Sequence, residues 1–307
     1  MKDYNMILKK VVKQILPYGI VKLYSSHRQT EYYKSLAPSA FWIQPHAEHE
    51  ECVIIASGPS AVQNRQMIQA YSQKADFFSV NRSLTAHWVS ELQPKIHVIQ
   101  DPVYFGKTKH FHTPAFVKNI ISDTQNMLSK ITWGLKLYVP EYAYKKATEL
   151  YGTKNISLVA FPIAPPPENL ERTTKFQLMD SGLYNCGSYN VVLGALYLAM
   201  IAGYKTIWLV GVDASTMLSI NVDQHCRTFT KIMHFHDDAG EKDFLDMDME
   251  TFLRNSYIAA KEFNFASEYA SYKGIRVINT SLDSLRDSFP KGCLGEEPYE
   301  FLRKTNE

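Results

Sequence analysis

From Cys52 onward, short apolar runs alternate with stretches of helical periodicity. Cys52-Val53-Ile54-Ile55-Ala56 is continuously apolar, the mark of a strand covered on both faces. Ser57-Gly58-Pro59-Ser60 ends that run, and the spacing after it predicts a helix through Gln73. Asp76–Asn81, Lys95–Gln100, Lys136–Val139 and Ser157–Phe161 are further strand candidates. Gly187–Ile201, rich in Ala, Leu and Met, predicts a helix ended by Gly203. Thr206–Val210 follows as a buried strand running into Gly211-Val212-Asp213. Phe252–Tyr272 predicts a long helix closed at Gly274, and Ile275–Asn279 a last strand. This alternation predicts an α/β fold of Rossmann-like type. Its sheet is mainly parallel, with helices on both faces and a lid-like insertion. Ligands of such sheets bind beyond the carboxyl ends of the strands.

The pattern divides the chain into four parts. Residues 1–50 hold an amphipathic helix and a polar linker or flap. In residues 4–24, Ile7, Leu8, Val11, Val12, Ile15 and Leu16 recur at helical spacing, interleaved with Lys9, Lys10 and Lys13. Such a helix can dock on the core or lie on an anionic membrane surface. Residues 51–213 form the α/β core, whose strand ends are the expected ligand-binding edge. Residues 214–250 are long and polar between two strong elements, as a lid would be. Residues 251–307 supply the last helix, the last strand and a tail.

Composition changes this picture little. Hydrophobic residues make up 45% of the 307, enough for a sizeable core, so disorder is not expected. A net charge of +2 argues neither for nor against nucleic acid, so any basic site must be local; no nucleic-acid partner is expected. Cys52, Cys186, Cys226 and Cys293 form no CxxC, which argues against a zinc site or a disulfide scaffold and fits a reducing, cytoplasmic setting. No window approaches the run of about 18 apolar residues that a membrane span needs, and no signal peptide is evident. Contact with the inner face of the plasma membrane is expected only through the N-terminal helix.

Candidate chemistry falls at the strand ends. At Ser57-Gly58-Pro59-Ser60, Gly58 permits close backbone approach, Pro59 can preset a first helical turn and Ser60 can cap or bind phosphate. The alternative is a plain strand-to-helix turn. Asn81 can form paired hydrogen bonds to a base or a sugar. Asp101, also at a strand end, can touch the same ligand or merely start the turn at Pro102. Asp180-Ser181-Gly182 reads as a second helix entrance or an ordinary cap. Asp213 can bind a hydroxyl. His234 and His236, in Met233-His234-Phe235-His236-Asp237-Asp238, suit proton abstraction, metal binding or a solvated loop.

These stations, in this order, resemble the bacterial lipooligosaccharide sialyltransferases. The matching pieces are Ile55–Ser60, Asn81, Asp101-Pro102, Ser181-Gly182, Ala202–Asp213, His234-Phe235 and the tail Gly274–Leu285. The glycine-proline-serine and glycine-x-aspartate pieces also resemble the Maf flagellin glycosylation proteins and the hydroxymethylpterin diphosphokinase-like group. The run Gly211–Ser215 followed by His234–Asp238 looks most like members encoded among polysaccharide-synthesis genes.

The resemblance implies a metal-independent, inverting glycosyltransferase with no cofactor. Its partners are a nucleotide-activated sugar, CMP-type favoured and sialic acid or another nonulosonate included, and a cell-surface glycan or lipid-linked glycan acceptor. It implies that Ser57, Gly58, Pro59, Ser60, Asn81 and Asp101 bind the donor, with Ser181, Gly182 and Asp213, and that His234 is the general base. A homo-oligomer is compatible with it.

Four places depart from the family. Ser57 and Asp101 each stand for an asparagine, and Leu178 for an arginine. Ala214-Ser215-Thr216 lacks the tyrosines that stabilise the leaving phosphate. Arg172, His225, Arg227 and Lys231 are the expected substitutes. Two alternatives stand beside this reading. One is an Mg²⁺-dependent diphosphokinase-like phosphotransferase using Asp101, Asp213 and Asp237. The other is a non-catalytic nucleotide-binding protein of a glycan pathway.

Overall fold

The computed structural model describes residues 46–107, 114–231, 242–244 and 247–300. The helix expected within residues 4–24 and the histidines at 234 and 236 lie outside the described residues. Along the chain run β1 (Glu51–Ile55), α1 (Ser60–Gln63), α2 (Arg65–Ala70), β2 (Ala75–Val80), α3 (His87–Glu91) and β3 (Ile96–Val98). Then come α4 (Pro114–Ser129), β4 (Leu135–Pro140), α5 (Tyr144–Tyr151), β5 (Ile156–Phe161), α6 (Arg172–Asp180), α7 (Val191–Ala202) and β6 (Thr206–Val210). Last are α8 (Thr216–Ser219), β7 (Asn221–Val222), β8 (Thr228–Lys231), β9 (Lys242–Phe244), α9 (Met249–Tyr272) and β10 (Arg276–Asn279).

Seven strands form one parallel sheet in the order β10-β6-β1-β2-β3-β4-β5. The apolar runs become its inner strands because both faces are covered: Cys52, Val53, Ile54 and Ile55 are fully buried, and every residue of β2 is buried. β1 sits between β6 and β2, with Val53 level with Phe77 on one side and Trp208 on the other. The chain steps outward from β1 to β5, then returns through α7 to lay β6 on the opposite side of β1. The order reverses there, and a crevice opens beyond the carboxyl ends of β1 and β6.

α7 is apolar around almost its whole circumference because it lies between the sheet and α9. Asn190 caps its start, accepting the Val192 amide at 2.8 Å.

The expected elements differ in three places. The first helix breaks at Asn64 into α1 and α2, because Asn64 takes a non-helical conformation. The helix expected from Gly187 starts only at Val191. The polar stretch after Asp213 contains α8 and an antiparallel sheet, β7-β8-β9. Its hairpin turn is tied by Asp223, which accepts the amides of His225 at 2.9 Å and Arg227 at 2.8 Å. Cys52 and Cys186 are buried free thiols, and burial pushes both pKa values up.

Candidate functional site

Where β1 and β6 end, their backbones meet. The Gly58 amide donates to the Gly211 carbonyl at 3.0 Å. A Cβ on Gly58 would lie 2.4 Å from both that carbonyl oxygen and Asp213 Oδ2, so only glycine fits. Gly211 takes φ +71, and a Cβ there would meet the Ala56 carbonyl oxygen at 2.6 Å. Asp213 turns back onto the first helical turn. Its Oδ2 accepts the Ser60 amide at 3.0 Å, and its Oδ1 accepts the Ser60 hydroxyl. Ser281 Oγ, from the loop after β10, lies 2.6 Å from Ser60 Oγ.

A cavity of about 1000 Å³ opens at these strand ends. Ser57, Gly58, Asn81, Asp101 and Asp213 all line it, so five of the expected donor-binding residues come together. Asn81 follows β2 with φ +45, a left-handed conformation that asparagine tolerates better than most residues. Its Oδ1 is buried without a hydrogen-bond partner. Behind it, His97 is fully buried on β3, with Nδ1 2.8 Å from Ser79 Oγ. Burial pushes the His97 pKa down to about 3, so the imidazole behind the cavity residue Asn81 is neutral.

Past β3, Gln100 donates through Nε2 to the Ser188 carbonyl at 2.8 Å, while its buried Oε1 has no partner. Asp101 caps the 3₁₀ turn Pro102–Phe105 by accepting the Val103 amide at 3.2 Å. It is therefore a turn starter and a cavity residue at once. The Lys107 ammonium rides 4.1 Å over the Tyr142 ring. The opposite wall is the entrance to α7. Glu262 of α9 accepts the amides of Ser188 at 3.2 Å and Tyr189 at 3.0 Å there. Burial raises the Glu262 pKa against the opposing pull of these amides. Arg286, on the loop after β10, completes the lining.

No protein-family model matches the chain, and no curated protein matches it. Among solved structures, it is similar to a Maf glycosyltransferase from Magnetospirillum magneticum AMB-1. The TM-score is 0.44 and the sequence identity 12%, over 81% of this chain and 34% of that one. The chain spans about a third of that structure's length.

Several expected site residues fall elsewhere. Pro59 and Ser60 do not line the cavity. The anion position on the first turn, expected for a donor phosphate, is filled by the Asp213 carboxylate, and α1 is only 4 residues long. Ser181 and Gly182 close α6 instead of opening α7. The Ser181 hydroxyl donates back to the Leu178 carbonyl at 2.7 Å, so carbonyl groups rather than free amides gather at that end. Arg172 pairs with Glu268 at 3.3 Å, and Arg227 with Asp223 at 2.8 Å. His225 is exposed in the same hairpin turn as Arg227. None of these lines the cavity, and Lys231 ends β8.

The sequence reading missed Gln100, Lys107, Tyr142, Asn190 and Arg286. Asn190 carried a signal, a capping residue directly before an apolar helical run. Among the described residues no three His, Cys, Asp or Glu side chains gather as metal ligands, and Asp213 is committed to Ser60. No described helix is long and apolar enough to cross a membrane.

Proposed function

We propose that the chain is a glycosyltransferase that holds a nucleotide-activated sugar in this cavity and passes the sugar to a cell-surface glycan. The observation that carries the reading is Asn81. A strained strand-end amide lines the cavity and keeps a buried oxygen without a partner. A buried acceptor of this kind costs stability until a ligand supplies a donor. A base amino group or a ribose hydroxyl is such a donor. Gln100 Oε1 is in the same position at the next strand tip. Tyr189, half exposed at the entrance to α7, offers a face for a sugar ring.

CMP is the favoured nucleotide, and sialic acid or another nonulosonate the favoured sugar, on the resemblance of the motifs. In the reaction the acceptor hydroxyl oxygen attacks the anomeric carbon. The carbon–oxygen bond to the phosphate breaks on the opposite face and inverts the centre. The bonding pair leaves on the phosphate oxygen, and the acceptor proton passes to a base. His234 is proposed as that base. It follows Thr230, a cavity residue, by four positions in the sequence.

The test is a transfer assay with CMP-, UDP- and GDP-sugars, reading nucleotide release in the presence of glycan acceptors. CMP-sugar turnover is expected, and it should persist in EDTA. Full dependence on Mg²⁺ would favour the phosphotransferase reading instead. His234→Ala should lower the rate by roughly 10²-fold or more with donor affinity retained. Turnover unchanged by that substitution removes His234 from the mechanism.

A further inference from the structure

We propose that Arg286 is the anion seat of the cavity and takes the phosphate of the bound ligand. This deepens the reading above and rests on the same cavity, but it can fail separately.

Three observations meet at this residue. First, Arg286 lines the cavity and has no carboxylate within ion-pair distance among the described residues. A guanidinium cannot shed its proton to escape burial, so a half-buried one calls for an anion. Burial does push the Arg286 pKa down, opposed only by its exposed neighbour Asp287.

Second, the side chain is held in place. Its guanidinium carbon lies 4.9 Å from the centre of the fully buried Phe263 ring of α9. The backbone beneath it is laced to the end of β6. The Ser284 hydroxyl donates to the Val212 carbonyl at 2.6 Å and accepts the Arg286 amide at 3.0 Å, while the Leu285 amide donates to the Asp213 carbonyl at 3.1 Å. These bonds tie the loop carrying Arg286 to the crevice where the strand order reverses.

Third, the competing seat is closed. The turn after β1 spends the Ser60 amide and hydroxyl on Asp213. Lys107, the other cation of the lining, is exposed and lies over Tyr142. Two non-bridging oxygens of a phosphate match the planar fork of Arg286, whereas a neutral nucleoside would leave its charge uncompensated.

The experiment is isothermal titration of wild type, Arg286→Gln and Arg286→Lys with pyrophosphate, with CMP, UMP, GMP and AMP, and with the four matching nucleosides. Wild type should bind pyrophosphate, and bind one monophosphate at least tenfold tighter than its nucleoside. Arg286→Gln should weaken both anions by roughly 10- to 100-fold and leave nucleoside affinity unchanged. Arg286→Lys keeps a point charge over Phe263 and should lose roughly threefold to tenfold. It gives the reading if the glutamine variant does not fold.

Unchanged anion affinity in the variants overturns the seat. A wild type that binds neither pyrophosphate nor any monophosphate overturns it as well. A monophosphate bound tightly and indifferently to residue 286 leaves the nucleotide reading standing and removes Arg286. Pyrophosphate bound through Arg286, with no monophosphate preferred over it, keeps the seat and removes the nucleotide reading.

Discussion

Asp213 and Ser60 stand 153 positions apart and are joined by two hydrogen bonds, the Ser60 amide to Oδ2 at 3.0 Å and the Ser60 hydroxyl to Oδ1. The pair clamps the ends of β1 and β6 where the crevice opens. It makes Asp213 a brace of the cavity floor. Asp213→Ala should leave the Ser60 donors unmet and cost about 1–3 kcal/mol, read as a lower Tm. Asp213→Asn keeps an acceptor for the Ser60 amide and should stay close to wild type in both Tm and ligand affinity. A loss of ligand affinity beyond roughly 10²-fold in Asp213→Asn, with Tm intact, would make the carboxylate a ligand group instead of a brace.

Asn81 separates fold from function by its backbone. At φ +45 a glycine is at least as comfortable as asparagine. Asn81→Gly should therefore leave the stability within about 1 kcal/mol of wild type, while removing the unpartnered Oδ1. Nucleotide affinity should fall roughly tenfold. Equal affinity in the glycine variant would show that the buried oxygen meets no ligand. Asn81→Asp keeps an acceptor at the same point and should retain binding of any ligand that donates there.

The sheet was legible in the sequence because its strands are buried on both faces. Runs such as Cys52–Ala56 and Thr206–Val210 are short, rich in β-branched residues and followed closely by glycine, which marks them as strands. β7, β8 and β9 were not legible, since short polar strands leave no apolar run; β7 is exposed at both residues. The strand-end polar residues could be picked out because a parallel sheet puts all those ends on one edge. Asn81, Asp101 and Asp213 did meet there. Their partners could not be picked out. Nothing local ties Asp213 to Ser60, and Arg286 reaches the cavity only through bonds from its loop to the end of β6. Ser181 and Gly182 were misplaced because α6, with its polar sequence Arg172–Asp180, gave no apolar stripe to mark it as the helix they close.

Asp76 sets an acid limit on the fold. Its side chain is fully buried, which alone would raise its pKa. Hydrogen bonds from Lys95 at 2.7 Å, Tyr204 at 2.7 Å, His49 at 3.0 Å and the Glu48 amide at 2.9 Å outweigh that burial. They hold the carboxyl well below the usual carboxylate range. A depressed carboxylate stabilises the fold above its unfolded pKa of 3.8, and that stability is lost as pH falls toward the folded value. Thermal melts should therefore show Tm dropping below about pH 4. Asp76→Asn should lower Tm at neutral pH by roughly 5 °C, for a cost of about 3 kcal/mol, and flatten the acid slope. An acid slope identical in the two proteins would assign it to other carboxylates.

Glu262 holds the cavity wall from behind. It is nearly buried on α9, and its two oxygens accept the consecutive amides of Ser188 and Tyr189. Gly187 packs so closely that a Cβ would lie 2.2 Å from Glu262 Cδ, which fixes the approach of this segment to α9. The same segment carries Asn190, the cap of α7, and the carbonyl of Ser188 that orients Gln100. Glu262→Ala leaves two amides without an acceptor and should cost about 2–3 kcal/mol. Hydrogen exchange locates the effect. Protection should fall at Ser188 and Tyr189 while the amides of the α7 interior stay slow, because that helix is held by the sheet as well as by α9. Ligand affinity should fall with it, since Gln100 loses its anchor. Unchanged protection at these two amides in the alanine variant would mean that the wall stands without the carboxylate.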